Sequence, residues 1–166
     1  PVLHTRALEV PVVDDYIREL VQDMFETMDA APGVGLAATQ IGVGLRIFVY
    51  AYGTDDAEIR GVAINPERSI SEFSDEPLDE EADAEGCLSI PGERFPLKRA
   101  NRALLMATDL EGQDYQIEAE GWLARIFQHE FDHLEGMLYA DRLVKPHKRQ
   151  MKKAIKENNW GVPGLS

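Results

Sequence analysis

The sequence predicts an α+β protein forming one domain over residues 1–166. Three observations predict it. Two stretches, 14–31 and 122–135, repeat apolar residues at three- and four-residue spacing, the mark of helices with one buried face. Short runs rich in β-branched and aromatic residues, at 45–50 and 61–65, read as strands, and a third region turns at Glu111 and Gly112 like a hairpin. The length of 166 residues, with 44% hydrophobic and 28% charged, suits a single core. These patterns define a mixture of helix and strand without fixing the topology.

In the first helix the apolar face is Tyr16, Ile17, Leu20, Val21, Met24, Phe25 and Met28. Asp14 or Asp15 caps its start, and Ala-Pro-Gly at 31–33 ends it. Residues 33–42, GVGLAATQIG, hold three glycines and two alanines, which predicts closely approached backbone instead of a regular element. The strands at 45–50 and 61–65 flank a loop, TDDAE. Residues 71–85 carry eight acidic and no basic residues, and are expected to be a solvated, mobile excursion rather than a binding site. CLSIPG follows, then the hairpin. The helix at 122–135 has Trp122, Leu123, Ile126, Phe127, Phe131 and Leu134 as its apolar residues, with Gly136 as its stop. A second, basic helix is expected over 144–160, and GVPGLS closes irregularly.

Charge and composition narrow the function. A net charge of −13 argues against broad nucleic-acid binding, which needs clustered Lys and Arg. Residues 141–166 are the exception, with seven Lys and Arg against two Asp and Glu, a basic face or simply a solvated one. A single cysteine allows no intrachain disulfide and fits a reducing compartment. There is no membrane-length apolar run and no secretory pattern at the start. The abrupt opening at Pro1 leads us to expect a short piece ahead of it.

The stretch QHEFDHLEGMLY, residues 128–139, carries the chemistry. Residues four apart share a helix face, so His129 and His133 can chelate one divalent metal, and Glu130 can serve as general base beside it. Hydrolytic sites of this kind use three protein ligands. Tyr139 stands where a longer version of the motif has a third His, but a phenol protonated to about pH 10 is a poor ligand. Glu157, on the basic helix, and His147, beside Pro146, are alternatives. So is Cys87, whose Gly- and Pro-framed setting, EGCLSIPG, is unusual for a core cysteine; a Cys-His-His set is chemically sound.

Three segments together, GVGLAATQ, EGCLS and QHEFDHLEG, resemble peptide deformylase in order and spacing, and PVLHTRA and NNWGVPGLS extend the resemblance to both ends, the latter resembling the actinobacterial branch. The resemblance implies antiparallel β-sheets packed around a central helix that carries the His-Glu-x-x-His motif, with an N-terminal and a C-terminal helix. It implies a hydrolase that removes the formyl group from the initiator formylmethionine of nascent polypeptides and releases formate. The implied metal ligands are Cys87, His129 and His133, and the implied general acid/base is Glu130. The implied oxyanion donors are the Gln40 side chain and the Leu88 backbone N–H, and Gly35 pairs its backbone with substrate. The implied cofactor is one divalent metal, Fe(II) in the cell, with zinc, nickel or cobalt able to replace it. Val34 and Ile126 are expected to line the methionine slot, Arg94 to approach the substrate backbone, and Arg125 to lay its stem along the pocket with its guanidinium outward. Without the resemblance, Gln40 reads as a structural amide. The implied setting is the cytoplasm, with ribosome contact through Lys148, Arg149, Lys152, Lys153 and Lys156, and with no membrane and no specific nucleic-acid sequence as partner. Two other readings stay open: a metallo-endopeptidase, with a third ligand after His133 and no need of Cys87, and a closed four-ligand metal module with no use for Glu130 or Gln40.

Overall fold

A computed structural model of the chain describes residues 3, 5–31, 33–53, 58–71, 84–87, 90–97, 99–137, 149 and 153. Helix α1 (Asp15–Ala30) leads into strand β1 (Gly35–Ala37), a 3-10 turn (Ala38–Ile41), β2 (Ile47–Tyr52) and β3 (Ile59–Ile70). Then come β4 (Ala84–Cys87), β5 (Ile90–Pro96), β6 (Arg102–Thr108), β7 (Asp114–Glu120) and helix α2 (Gly121–Leu134). A five-stranded antiparallel sheet has the order β1-β2-β3-β6-β7, and β4 pairs with β5 in a separate two-stranded sheet.

The five-stranded sheet is sandwiched between the two helices. Successive strand residues point to opposite faces. Leu36, Ile47, Val49, Val62 and Ile64 pack with Ile17, Leu20, Val21, Met24 and Met28 of α1. Their sequence neighbours Ala37, Phe48, Tyr50 and Ala63 pack with Leu123, Ala124, Ile126, Phe127 and Leu134 of α2. This is why β2 reads as a continuous apolar run: it is buried on both faces.

Local chemistry sets the element ends. The Asp14 carboxylate accepts from the Ile17 N–H at 3.0 Å and caps α1. At the end of α2, Gly136 takes φ 78°, its N–H donates to His133 O and the Met137 N–H to Asp132 O, a Schellman closure that suits a glycine. The β6–β7 hairpin turns through Gly112 at φ 78°, as expected.

Three expectations are corrected. Residues 33–42 do form regular structure, strand β1 and a 3-10 turn, because β1 pairs with β2 (Gly35 with Tyr50, Ala37 with Phe48). The second predicted strand runs to twelve residues, since a bulge between Ile64 and Glu67 lets β3 pair onward with β6. Tyr16, on the apolar face expected to be buried, is 59% exposed, standing in the first turn of α1. The basic helix expected at 144–160 lies outside the described residues except for Arg149 and Lys153, both helical. Among the described residues no helix is long and apolar enough to cross a membrane.

Candidate active site

Helix α2 brings the motif residues together in the interior. His129, Glu130 and His133 are all buried. The Nε2 atoms of His129 and His133 converge to 3.2 Å, with the rings edge-to-face. The Nδ1 of His129 meets Glu85 Oε1 at 2.8 Å. A carboxylate on Nδ1 holds the proton there and turns the Nε2 lone pair toward His133, which is how a ligating histidine is oriented. Two imidazole nitrogens aimed at one point fit a divalent cation.

Glu130 stands beside this point. Its Oε2 is buried and has no hydrogen-bond partner among the described residues. Burial raises its carboxyl to about 7, with His129 opposing the shift. A cation beside it would pull that value down again. Burial, and then the neighbouring His129 and Arg99, hold His133 well below the usual imidazole value, so it is a neutral donor.

Glu85 is a correction to the reading of residues 71–85. Residues 72–83 lie outside the described residues, but Glu85, on β4, is buried and faces α2. Its carboxylate accepts from Arg99 Nε (2.8 Å) and Nη2 (3.0 Å) and from Arg125 Nη1 (2.8 Å), besides His129. Burial alone would raise the Glu85 carboxyl, but the His129 hydrogen bond and the Arg99 charge hold it well below the usual carboxylate range. Burial likewise opposes the charge on Arg99, and Glu85 and Asp132 more than restore it. Arg99 Nη1 also donates to Asp132 Oδ2 at 2.5 Å. Arg125 is a second correction. Its guanidinium points inward, donating to Glu85 and to Leu97 O, and lies 5.2 Å from the Trp122 ring. A buried carboxylate with lone pairs to fill outweighs the solvation a cation finds outside.

Gly35 lies against Glu130. A Cβ built on it would stand 2.8 Å from Glu130 Oε1 and 2.9 Å from its Cγ, so only glycine fits. Among the described residues strand β1 is an edge strand. Ala51 N–H donates to Val34 O at 2.9 Å, which sets the alternation: Leu36 faces β2, while the N–H and C=O of Gly35 and Ala37 face the open edge. The Ala37 N–H is taken by Gln40 Oε1 at 2.8 Å. That bond makes Gln40 a structural amide in part, and by fixing the oxygen it aims the NH₂ of the same group the other way.

The remaining expected residues fall as follows. Cys87 ends β4, two positions after Glu85, about 6–7 Å along the strand from a residue that touches His129. Its side chain, that of Arg94 on β5 (paired in register with Gly86), and the whole of Leu88 lie outside the described residues. Ile126 is 5% exposed and belongs to the core beneath α2, and Val34 is 51% exposed just before β1. Among the described residues no third His, Cys, Asp or Glu side chain completes a ligand cluster with the two histidines. Glu135, the first carboxylate after His133, is engaged with Arg46 and Arg6 instead. The reading from sequence missed Glu85, Arg99, Asp132 and Gln128. Gln128 clamps α2 to the segment before β6, exchanging hydrogen bonds with the backbone N–H and C=O of Ala100. Glu85 had a signal, its place two residues before the lone cysteine. Arg99 had none.

Comparisons with known proteins agree with this geometry. A family model described as Polypeptide deformylase matches residues 1–149. A peptide deformylase of Mycolicibacterium paratuberculosis (strain ATCC BAA-968 / K-10) is 50% identical over 174 aligned positions, covering 100% of this chain and 88% of that relative. A second, from Tropheryma whipplei (strain TW08/27), is 49% identical over 98% of this chain and 86% of its own. Among solved structures, the peptide deformylase from Thermus thermophilus superposes with a TM-score of 0.80 at 40% identity, covering 95% of this chain and 89% of that one. One from Legionella pneumophila gives 0.82 at 36% identity, over 94% and 88%.

Proposed function

The chain belongs to the polypeptide deformylase family, and from that premise we propose how its own residues divide the work. It is a metal-dependent hydrolase that removes the N-formyl group from nascent polypeptides. Water adds across the formyl C–N bond, releasing formate and a free amine.

The metal is held by His129, His133 and Cys87, and Fe(II) is the ion used in the cell. The observation that carries this reading is the 3.2 Å convergence of the two Nε2 atoms beside the buried Glu130 Oε2. Cys87 is supported by its position on β4, two residues after Glu85, whose carboxylate bonds His129. When bound, the ion supplies Lewis acidity, which brings the pKa of a water down toward about 7.

Glu130 takes the proton from water and delivers it to the leaving amine. Its position beside the histidines supports this, since Gly35 leaves it the room. The Gln40 amide NH₂ and the Leu88 N–H stabilise the charge that grows on the formyl oxygen. A neutral donor suits that charge, and the Ala37 bond preorganises it. The peptide adds to the open edge of β1 through Gly35. Val34 and Ile126 bound the methionine slot, and Arg94 approaches the peptide backbone. The chain acts as one catalytic domain over 1–166 in the cytoplasm, with Lys148, Arg149, Lys152, Lys153 and Lys156 as its contact to the ribosome.

Formate release from a formyl-Met-Ala-Ser peptide tests these roles in wild type, Glu130→Gln and Cys87→Ala. Glu130→Gln is expected to keep its metal and lose about 10²–10⁴ in rate. Cys87→Ala is expected to lose the metal itself. Robust turnover by Glu130→Gln, or full metal occupancy in Cys87→Ala, overturns the corresponding role.

A further inference from the structure

We propose that Arg125 is a positioning residue for the metal centre, acting through Glu85 to hold the His129 ring in its ligating orientation. The proposal rests on the reading of His129 as a metal ligand.

Arg125 lies one helical turn before His129, so both side chains leave α2 on the same face. They meet on one carboxylate. Glu85 Oε1 bonds His129 Nδ1, and Glu85 Oε2 bonds Arg125 Nη1, each at 2.8 Å. Arg99 bonds both oxygens from the other side. Two guanidiniums thus fix the plane of the carboxylate that orients the imidazole. Arg125 is itself held at two further points, the Leu97 carbonyl and the Trp122 ring. This places Glu85, and with it β4, at a set distance from α2.

Charge leads to the same conclusion. The buried cluster contains Glu85, Asp132, Arg99 and Arg125, and is neutral only when Arg125 is counted. Without it a net negative charge would sit buried next to Glu130. Lysine could supply the charge and a donor in place of Nη1, which makes both bonds, but not the planar face that lies on Trp122. Residues outside the ligand set that orient a ligating His typically change metal affinity by about 10–100-fold.

The test uses the full chain, stripped of metal and titrated with Co(II) against a competing chelator. Arg125→Met is expected to weaken Co(II) binding at least about tenfold and to alter the visible d–d spectrum of the loaded protein. Arg125→Lys is expected to fall between wild type and Arg125→Met in affinity, and it serves as the probe if Arg125→Met does not fold. Trp122→Ala, which removes the ring that Arg125 lies against, is expected to shift affinity in the same direction by less. His129→Ala separates the two levels of the reading, and unchanged Co(II) affinity there overturns the ligand assignment. Abolished binding in His129→Ala, with Arg125→Met and Arg125→Lys both within twofold of wild type and showing its spectrum, overturns the role of Arg125 alone.

Discussion

Gly35 illustrates how one hydrogen atom in place of a methyl leaves room for a buried carboxylate. Its Cα stands so close to Glu130 that an added Cβ meets Oε1 at 2.8 Å, Cγ at 2.9 Å and Cδ at 3.0 Å. Glu130 is buried, so Gly35→Ala is expected to displace its carboxylate. A misplacement on the order of 1 Å near reacting atoms costs about 10²-fold. The measurement is formate release together with a thermal melt. A fall in kcat at near-normal melting temperature is expected, and a kcat within twofold of wild type would show that Glu130 tolerates the shift. The sequence made Glu130 legible through the spacing of its flanking histidines. The need for glycine at 35 was legible only as a cluster of small residues, since the atom it must avoid lies 95 positions away.

At the scale of elements, capping and buried hydroxyls make separate predictions. Asp14→Ala removes the acceptor for the Ile17 N–H at the start of α1, and a loss of about 1 kcal/mol in urea denaturation is expected. On the other side of the sheet, Tyr115 on β7 donates to Val62 O on β3 and contacts Tyr50 OH at 3.1 Å, a side-chain link across β6. Burial raises both phenols above their ordinary value of 10.0. The folded state therefore keeps protons that the unfolded chain gives up as pH rises past that value. This stabilisation is complete below about pH 10 and is lost as pH climbs toward the folded-state values. Tyr115→Phe is expected to show a shallower alkaline loss of its urea midpoint between about pH 9 and pH 11.5 than wild type. Equal slopes would remove Tyr115 from the account. Helix and hairpin positions were legible because periodicity and turn glycines are local signals. The length of β3 was not, because its second half is defined by pairing with β6 across a bulge.

The whole molecule is held across its interior by Arg99. It joins Glu85, on the two-stranded sheet, to Asp132, on α2, with all three side chains buried. Removing one partner of such a cluster strands opposite charge in a poorly solvating interior, at about 3–5 kcal/mol. Arg99→Met is expected to lower the unfolding free energy from urea denaturation by that much, and a change below about 1 kcal/mol would show that Arg125 alone can balance Glu85. The −13 net charge is thus no guide to the centre of the protein, where arginines answer the carboxylates one for one.

Spacing along the chain was enough to specify the class of fold, both described helices with their ends, the hairpin, and a pair of histidines one helical turn apart with a carboxylate between them. Each of these depends on spacing within a few residues, and helical geometry converts that spacing directly into a shared face. Only the tertiary structure decided which residues orient the histidines. Glu85 reaches His129 from 44 positions away, Arg125 turns inward to meet it, and β1 becomes an edge strand. These follow from buried charges seeking partners in a medium that solvates them poorly, and the partners are chosen by topology, which local spacing does not encode.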